Sequence, residues 1–124
     1  MNRVAENRPL IDLSDKNTFQ HLNKYKRVII CSAITDMETC EKNPIDTRKV
    51  NVSGTIKLLK ILVEKGTHVL FLSSNQVFNG KHPMEKPDAA RKPINEYGRQ
   101  KAEVEMFIET LPKACILRLT KVIY

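Results

Sequence analysis

"HVLFLSS", residues 68–74, is a short apolar run that ends in two hydroxyls. Two further runs have the same character: "RVIICSA" at 27–33 and "ACILRLT" at 114–120. None alternates cleanly between apolar and polar positions, which predicts parallel strands covered on both faces. Between the first two runs lies Pro44–Lys65, where Val50, Ile56, Leu58, Leu59, Ile61, Leu62 and Val63 supply a wide apolar face. That is a helix, with Gly66 at the C-cap position. A second helix starts at Asn95, a favourable N-cap, and runs to Leu111, where Pro112 stops it. "DKNTFQHLNKY" (15–25) predicts a shorter helix and "PLIDLSD" (9–15) a weaker fourth strand, while the proline-rich stretch 79–93 reads as a loop. Strand alternating with helix predicts an α/β layer structure on a parallel sheet. Such sheets bind ligands outside the carboxyl ends of their strands. Attention therefore falls on Cys31–Thr35, Ser73–Gln76 and Thr120–Ile123.

Bulk properties narrow the function. At 124 residues, 41% apolar and 28% charged, the chain is expected to form one soluble domain over residues 1–124. No apolar run approaches the roughly 20 residues of a membrane span, and the N-terminus has no apolar leader core. The cysteines Cys31, Cys40 and Cys115 are odd in number and far apart, so reduced thiols in a cytoplasmic protein are expected, with Cys31 buried. His21, His68 and His82 are equally scattered, and no metal set is expected. The net charge of +7 is spread evenly over both halves, without a basic run interleaved with aromatics, which argues against a nucleic-acid groove.

Chemistry gathers at one place. Tyr97 and Lys101 stand four apart on a predicted helix and share a face. Ser73 and Ser74 close the strand 68–74. A serine hydroxyl at a strand end, a tyrosine at a helix start and a lysine one turn later can surround one carbonyl oxygen. A free tyrosine, with a pKa of about 10, is sluggish at neutral pH. An adjacent ammonium and a helix N-terminus both favour the phenolate, and the serine can hydrogen-bond a developing alkoxide. Such a set reduces ketones or oxidises alcohols once a hydride carrier is present.

Five ordered blocks carry a resemblance: "VIICSAITDMETCEKNP", "VNVSGT", "LSSNQVFNG", "KPINEYGRQKAEVE" and "LRLTKVIY". From about Pro9 to Tyr124 the chain resembles the extended short-chain dehydrogenase/reductases, in their dTDP-4-dehydrorhamnose reductase and sugar-nucleotide-binding branch. The resemblance implies a partial Rossmann-like sheet with helices on both faces, lacking the first βαβ unit. It implies NAD or NADP as cofactor and a nucleotide sugar or similar small molecule as substrate. By position, it implies Ser74 as the hydroxyl that polarises the carbonyl and Tyr97 as proton donor. Lys101 would lower the tyrosine pKa and bind the nicotinamide ribose. Ser32, Ala33 and Ile34 would lie along the cofactor, with Ser73 close by. Asn51 falls in the long helix, either behind the strand ends or simply bonding neighbouring backbone.

The chain departs from the family pattern at Asn75 and Gln76, where aspartate and tyrosine are usual. It also has no glycine before Gly54, so the glycine-rich turn that cradles a pyrophosphate is missing. The resemblance therefore implies the central part of a reductase, with weak or absent cofactor binding and no turnover alone. The alternative is a non-catalytic sugar-nucleotide-binding or regulatory subunit of the same fold. With no first strand beside it, "RVIICSA" is expected to expose a sheet edge. That edge invites self-association, a partner chain, or cover from "NRPLIDLSD".

Overall fold

The computed structural model describes residues 10–120. A 3₁₀ turn at Lys16–Leu22 leads into β1 (Arg27–Ile30), followed by α1 (Met37–Lys42) and α2 (Pro44–Arg48). A π-helical stretch at Lys49–Gly54 joins α2 to α3 (Thr55–Glu64). Then come β2 (His68–Ser74), a 3₁₀ turn at Asn75–Val77, α4 (Glu96–Ile108) and β3 (Ala114–Leu119). The three strands form one parallel sheet in the order β1-β2-β3, with Phe71 of β2 paired to Ile30 on one side and Ile116 on the other.

The three strands lie inside the three apolar runs; α3 ends just before Gly66, while α4 ends at Ile108, three residues short of the expected Leu111. Gly66 follows α3 at φ 81°, a left-handed conformation that glycine adopts without strain. Its N–H donates to the Val63 carbonyl while Thr67 N–H reaches back to Leu62, so the last carbonyls of α3 are satisfied. Asn95 caps α4 by accepting from the Gly98 N–H at 2.7 Å.

Several expectations are corrected. Pro44–Lys65 is not one regular helix, because the π stretch interrupts it, and α1 is a separate helix capped by Asp36. The segment 15–25 forms a 3₁₀ turn rather than an α-helix. Residues 10–15 form no strand. Leu13 instead buries with Phe19 against Leu58, Leu59 and Leu62, so the described part of "NRPLIDLSD" packs with the helices. Residues 1–9 and 121–124, including Pro9 at the start of the expected fourth strand and the stretch after Thr120, lie outside the described residues.

The sheet has two unlike faces. Val69, Phe71 and Ser73 of β2 are buried, and with Ile30 they meet α3 and α4. Phe71, Leu59 and Leu62 are at most 1% exposed, and each contributes about 1.5–3 kcal/mol by leaving water. The alternate positions point the other way: Ile29 is 60% exposed, and Leu117 and Leu119 are 46% exposed. Helices on both faces were expected, yet among the described residues they cover one. The outer edge of β1 likewise pairs with no strand among the described residues.

Candidate active site

The carboxyl ends of β1, β2 and β3 open on a cleft of about 540 Å³. Cys31, Thr35, Ser74, Gln76, Tyr97 and Lys101 are among its walls. Ser74 is the last residue of β2 and Tyr97 the second of α4, and Lys101 follows one helical turn later. What brings these elements together is Gly98. A Cβ on that residue would stand 2.2 Å from the Gln76 carbonyl oxygen, so only a glycine lets the start of α4 abut the end of β2. Asn95 strengthens the joint by donating from Nδ2 to Gln76 Oε1 at 3.1 Å.

The Ser74 hydroxyl accepts from the Gln76 N–H at 3.1 Å, which leaves its own proton free to aim into the cleft. Tyr97 is 9% exposed. Burial pushes its phenol above the ordinary value, the Cys40 thiol adds to the rise, and the Ser74 hydroxyl opposes it. The expected lowering by Lys101 is not found. The Lys101 ammonium instead donates to the Leu72 carbonyl at 3.3 Å and lies 4.7 Å from the Phe71 ring centre and 5.7 Å from that of Tyr97. Burial pulls it down to about 8, with Glu105 working against the fall.

Other expected residues are placed differently. Ser73 borders the cleft, but its hydroxyl is committed to Glu105 Oε2 at 2.5 Å on the helix side of the sheet. Ser32, Ala33 and Ile34 form the turn after β1, yet Cys31 and Thr35 on either side are the ones that line the cleft. Cys31 was expected to be buried, but β1 stops at Ile30 and the thiol is exposed at the cleft wall. Asn51 does bond backbone, though not its neighbours'. Its Oδ1 accepts from Ile34 N–H at 2.8 Å and its Nδ2 donates to Ile34 O at 2.9 Å, pinning the turn after β1. The same Nδ2 donates to Gln100 Oε1 at 2.8 Å, which ties the turn to the helix that carries Tyr97 and Lys101.

Glu105 was seen only as part of a motif. Its side chain is 0% exposed and receives Arg91 Nε at 2.9 Å, Arg118 Nη2 at 2.7 Å and the Ser73 hydroxyl. Burial pushes its carboxyl up, but Arg118, Ser73 and Arg91 outweigh this and hold it below the usual range. Arg91 belongs to the loop before α4, and Arg118 to β3, so one carboxylate joins three elements behind the cleft. The available signal was spacing: Tyr97, Lys101 and Glu105 recur every four residues along one buried stripe. Among the described residues no group of three or more His, Cys, Asp or Glu could hold a metal, and no helix is long and apolar enough to cross a membrane.

The chain was compared with known proteins. The family model described as RmlD substrate binding domain matches residues 1–124. Methionine adenosyltransferase 2 subunit beta of Bos taurus is 28% identical over 113 residues, covering 88% of this chain and 34% of that protein. The dTDP-4-dehydrorhamnose reductase of Aggregatibacter actinomycetemcomitans is 30% identical over 113 residues, covering 87% of this chain and 38% of that protein. Among solved structures, dTDP-4-dehydrorhamnose reductase (rfbD) from Bacillus anthracis str. Ames in complex with NADP aligns with a TM-score of 0.82 at 25% identity. That alignment covers 90% of this chain and 41% of the reductase chain. The chain therefore spans little more than a third of the length of the curated relatives it matches. The parallel α/β sheet is the Rossmann-like one of these reductases. With a family match over its whole length and a shared fold, the chain belongs to the RmlD substrate binding domain family.

Proposed function

We propose that this chain carries the carbonyl-handling part of an NAD(P)-dependent sugar-nucleotide reductase, of the dTDP-4-dehydrorhamnose reductase type, and that it does not turn over alone. The observation that supports this reading is the meeting of Ser74, Tyr97 and Lys101 on one cleft at the strand ends. A ketone oxygen placed there accepts hydrogen bonds from the Ser74 and Tyr97 hydroxyls. As negative charge grows on that oxygen, Tyr97 delivers its proton and the Lys101 ammonium offsets the phenolate left behind. Burial keeps the Tyr97 phenol protonated in the free chain, and the charge that develops on the ketone oxygen in the transition state is what draws its proton across.

The residues present fit one end of the cofactor. Lys101, Ser74 and the wall at Thr35 would border a nicotinamide and its ribose, and a bound nicotinamide would supply the hydride. No described residue forms a glycine turn for the pyrophosphate, since the first glycine is Gly54, inside a helical stretch. Calorimetric titration with NADPH is expected to show no micromolar binding by the chain alone. Adding a fragment that carries a strand and glycine turn should restore binding and NADPH-dependent reduction of a 4-keto nucleotide sugar. Micromolar affinity without the fragment overturns the first expectation, and no reduction with it overturns the second.

The likeness to methionine adenosyltransferase 2 subunit beta, by its name one subunit of a larger enzyme, supports a second reading of this chain as a subunit, here a non-catalytic sugar-nucleotide-binding or regulatory one. Asn75 and Gln76, uncharged where the pattern has aspartate and tyrosine, agree with it. Nucleotide-sugar binding with no reduction in the complemented assay would select this reading.

A further inference from the structure

Lys101 is a buried amine that pairs with no acid among the described residues. It is 5% exposed, and of its three N–H donors one is engaged among the described residues, by the Leu72 carbonyl at 3.3 Å. The natural ion partner would be Glu105, one turn further along α4. That carboxylate is already saturated by Arg91, Arg118 and Ser73. Among the described residues, the other ionisable groups that face the amine are Tyr97 on α4, Cys31 just after β1 and Cys40 on α1. None of these is a carboxylate. Phe71 forms an apolar floor beneath the nitrogen, and the cleft in front holds the hydroxyls of Ser74 and Tyr97 and the amides of Asn75 and Gln76. A desolvated amine with no counter-ion, set beside groups that bind a carbonyl oxygen, is the arrangement that makes a lysine a nucleophile.

We propose that the Lys101 amine condenses reversibly with small hydroxyaldehydes and hydroxyketones in this cleft to form an imine. The Nζ lone pair attacks the carbonyl carbon, and the carbonyl oxygen takes a proton from Tyr97 to give a carbinolamine. Nitrogen then loses its protons as the C–O bond breaks and water departs, and the phenol is restored. One amine and one carbonyl yield one imine and one water, with no oxidant or reductant. The polar walls at Ser74, Asn75 and Gln76 select substrates that carry hydroxyls beside the carbonyl. The proposal rests on the same cleft as the proposed function but needs neither cofactor nor hydride transfer. Its success or failure is therefore independent of the reductase reading.

The probe is D-glyceraldehyde with cyanoborohydride, which reduces an imine to a stable secondary amine that peptide mass spectrometry can locate. An amine with a pKa of about 8 holds far more free base at pH 7 than a free lysine side chain, whose reference pKa is about 10.4. Lys101 is expected to be modified at least about tenfold faster than exposed Lys113 at pH 7, with the ratio shrinking toward pH 10. Tyr97→Phe should slow modification of Lys101 several-fold and leave Lys113 unchanged. Even modification over all lysines, or a silent Lys101 among reacting surface lysines, overturns the proposal. An unaffected rate in Tyr97→Phe removes the proton role assigned to the phenol. Because the wild-type chain gives the principal readout, no variant has to fold for the test to decide.

Discussion

Replacing Gly98 by alanine sets two effects against each other. In an unobstructed helix the change stabilises, because alanine exceeds glycine in helix propensity by about 1 kcal/mol. Here the added methyl would lie 2.2 Å from the Gln76 carbonyl oxygen, 3.0 Å from its carbon and 3.1 Å from Pro93 Cβ. The nearest obstacle is backbone at the end of β2, not the tip of a flexible side chain. Restoring ordinary contact requires the start of α4 to retreat by roughly 1 Å, and overpacking of this kind costs about 1–3 kcal/mol. A 2.2 Å collision with backbone belongs to the upper part of that range and outweighs the propensity gain, so a net loss of about 1–2 kcal/mol is expected. With a urea dependence of about 1–3 kcal/mol per molar, the midpoint of unfolding followed by circular dichroism should fall by roughly 0.5–1 M. Tyr97 moves with the helix, so glyceraldehyde labelling of Lys101 should slow as well. An unchanged or higher midpoint would refute the claim that Gly98 sets the distance between Ser74 and Tyr97.

Glu105→Gln leaves Arg91 and Arg118 facing a neutral amide in a fully buried place and should cost about 3–5 kcal/mol in urea unfolding; a loss under 1 kcal/mol would deny the carboxylate its joining role. Lys101 has a folded pKa lowered to about 8, so above that value the folded chain binds fewer protons than the unfolded one, and stability rises with pH until the unfolded lysine also deprotonates near 10.5. Relative to Lys101→Met, wild type should therefore gain about 2 kcal/mol between pH 7.5 and 9.5 in urea unfolding, and a constant difference would contradict the buried charge. The outer edge of β1, which pairs with no strand among the described residues, has exposed Ile29 beside it and should drive concentration-dependent association in light scattering, reduced by Ile29→Lys. A monomer at all concentrations would show that the edge is protected.

The strands were legible because each is a dense apolar run, and burial in a parallel sheet demands such runs. Gly66 and Asn95 were legible because their roles are local: one φ angle and one side-chain bond. What escaped depends on pairing at a distance. Cys31, at the end of its apolar run, was expected to be buried, but the last ladder pair is Ile30 with Phe71, and the thiol is exposed one residue later at the cleft wall. Asn51 was open to two readings, behind the strand ends or bonding neighbouring backbone; its partner is the backbone of Ile34, which only the fold brings beside the π stretch. That Ser74, Tyr97 and Lys101 would line one cleft could be anticipated from spacing and family pattern together. Its electrostatics could not, since burial, which raises Tyr97 and lowers Lys101, is a property of the packed chain. The open second face was hidden for a related reason. Apolar runs announce that both faces want cover, not whether both receive it.

The central claim is that Ser74, Tyr97 and Lys101 act together on one carbonyl. It is tested most directly by the ¹³C resonance of a 4-keto nucleotide sugar, labelled at the carbonyl carbon, in the presence of the chain. Two hydroxyls donating to the oxygen withdraw electron density from the carbon, so the bound resonance should move downfield of the free ketone. Ser74→Ala and Tyr97→Phe should each remove part of that shift, and the double variant should remove nearly all of it. A bound ketone whose carbonyl resonance is unshifted, or whose shift survives both substitutions, would contradict the account.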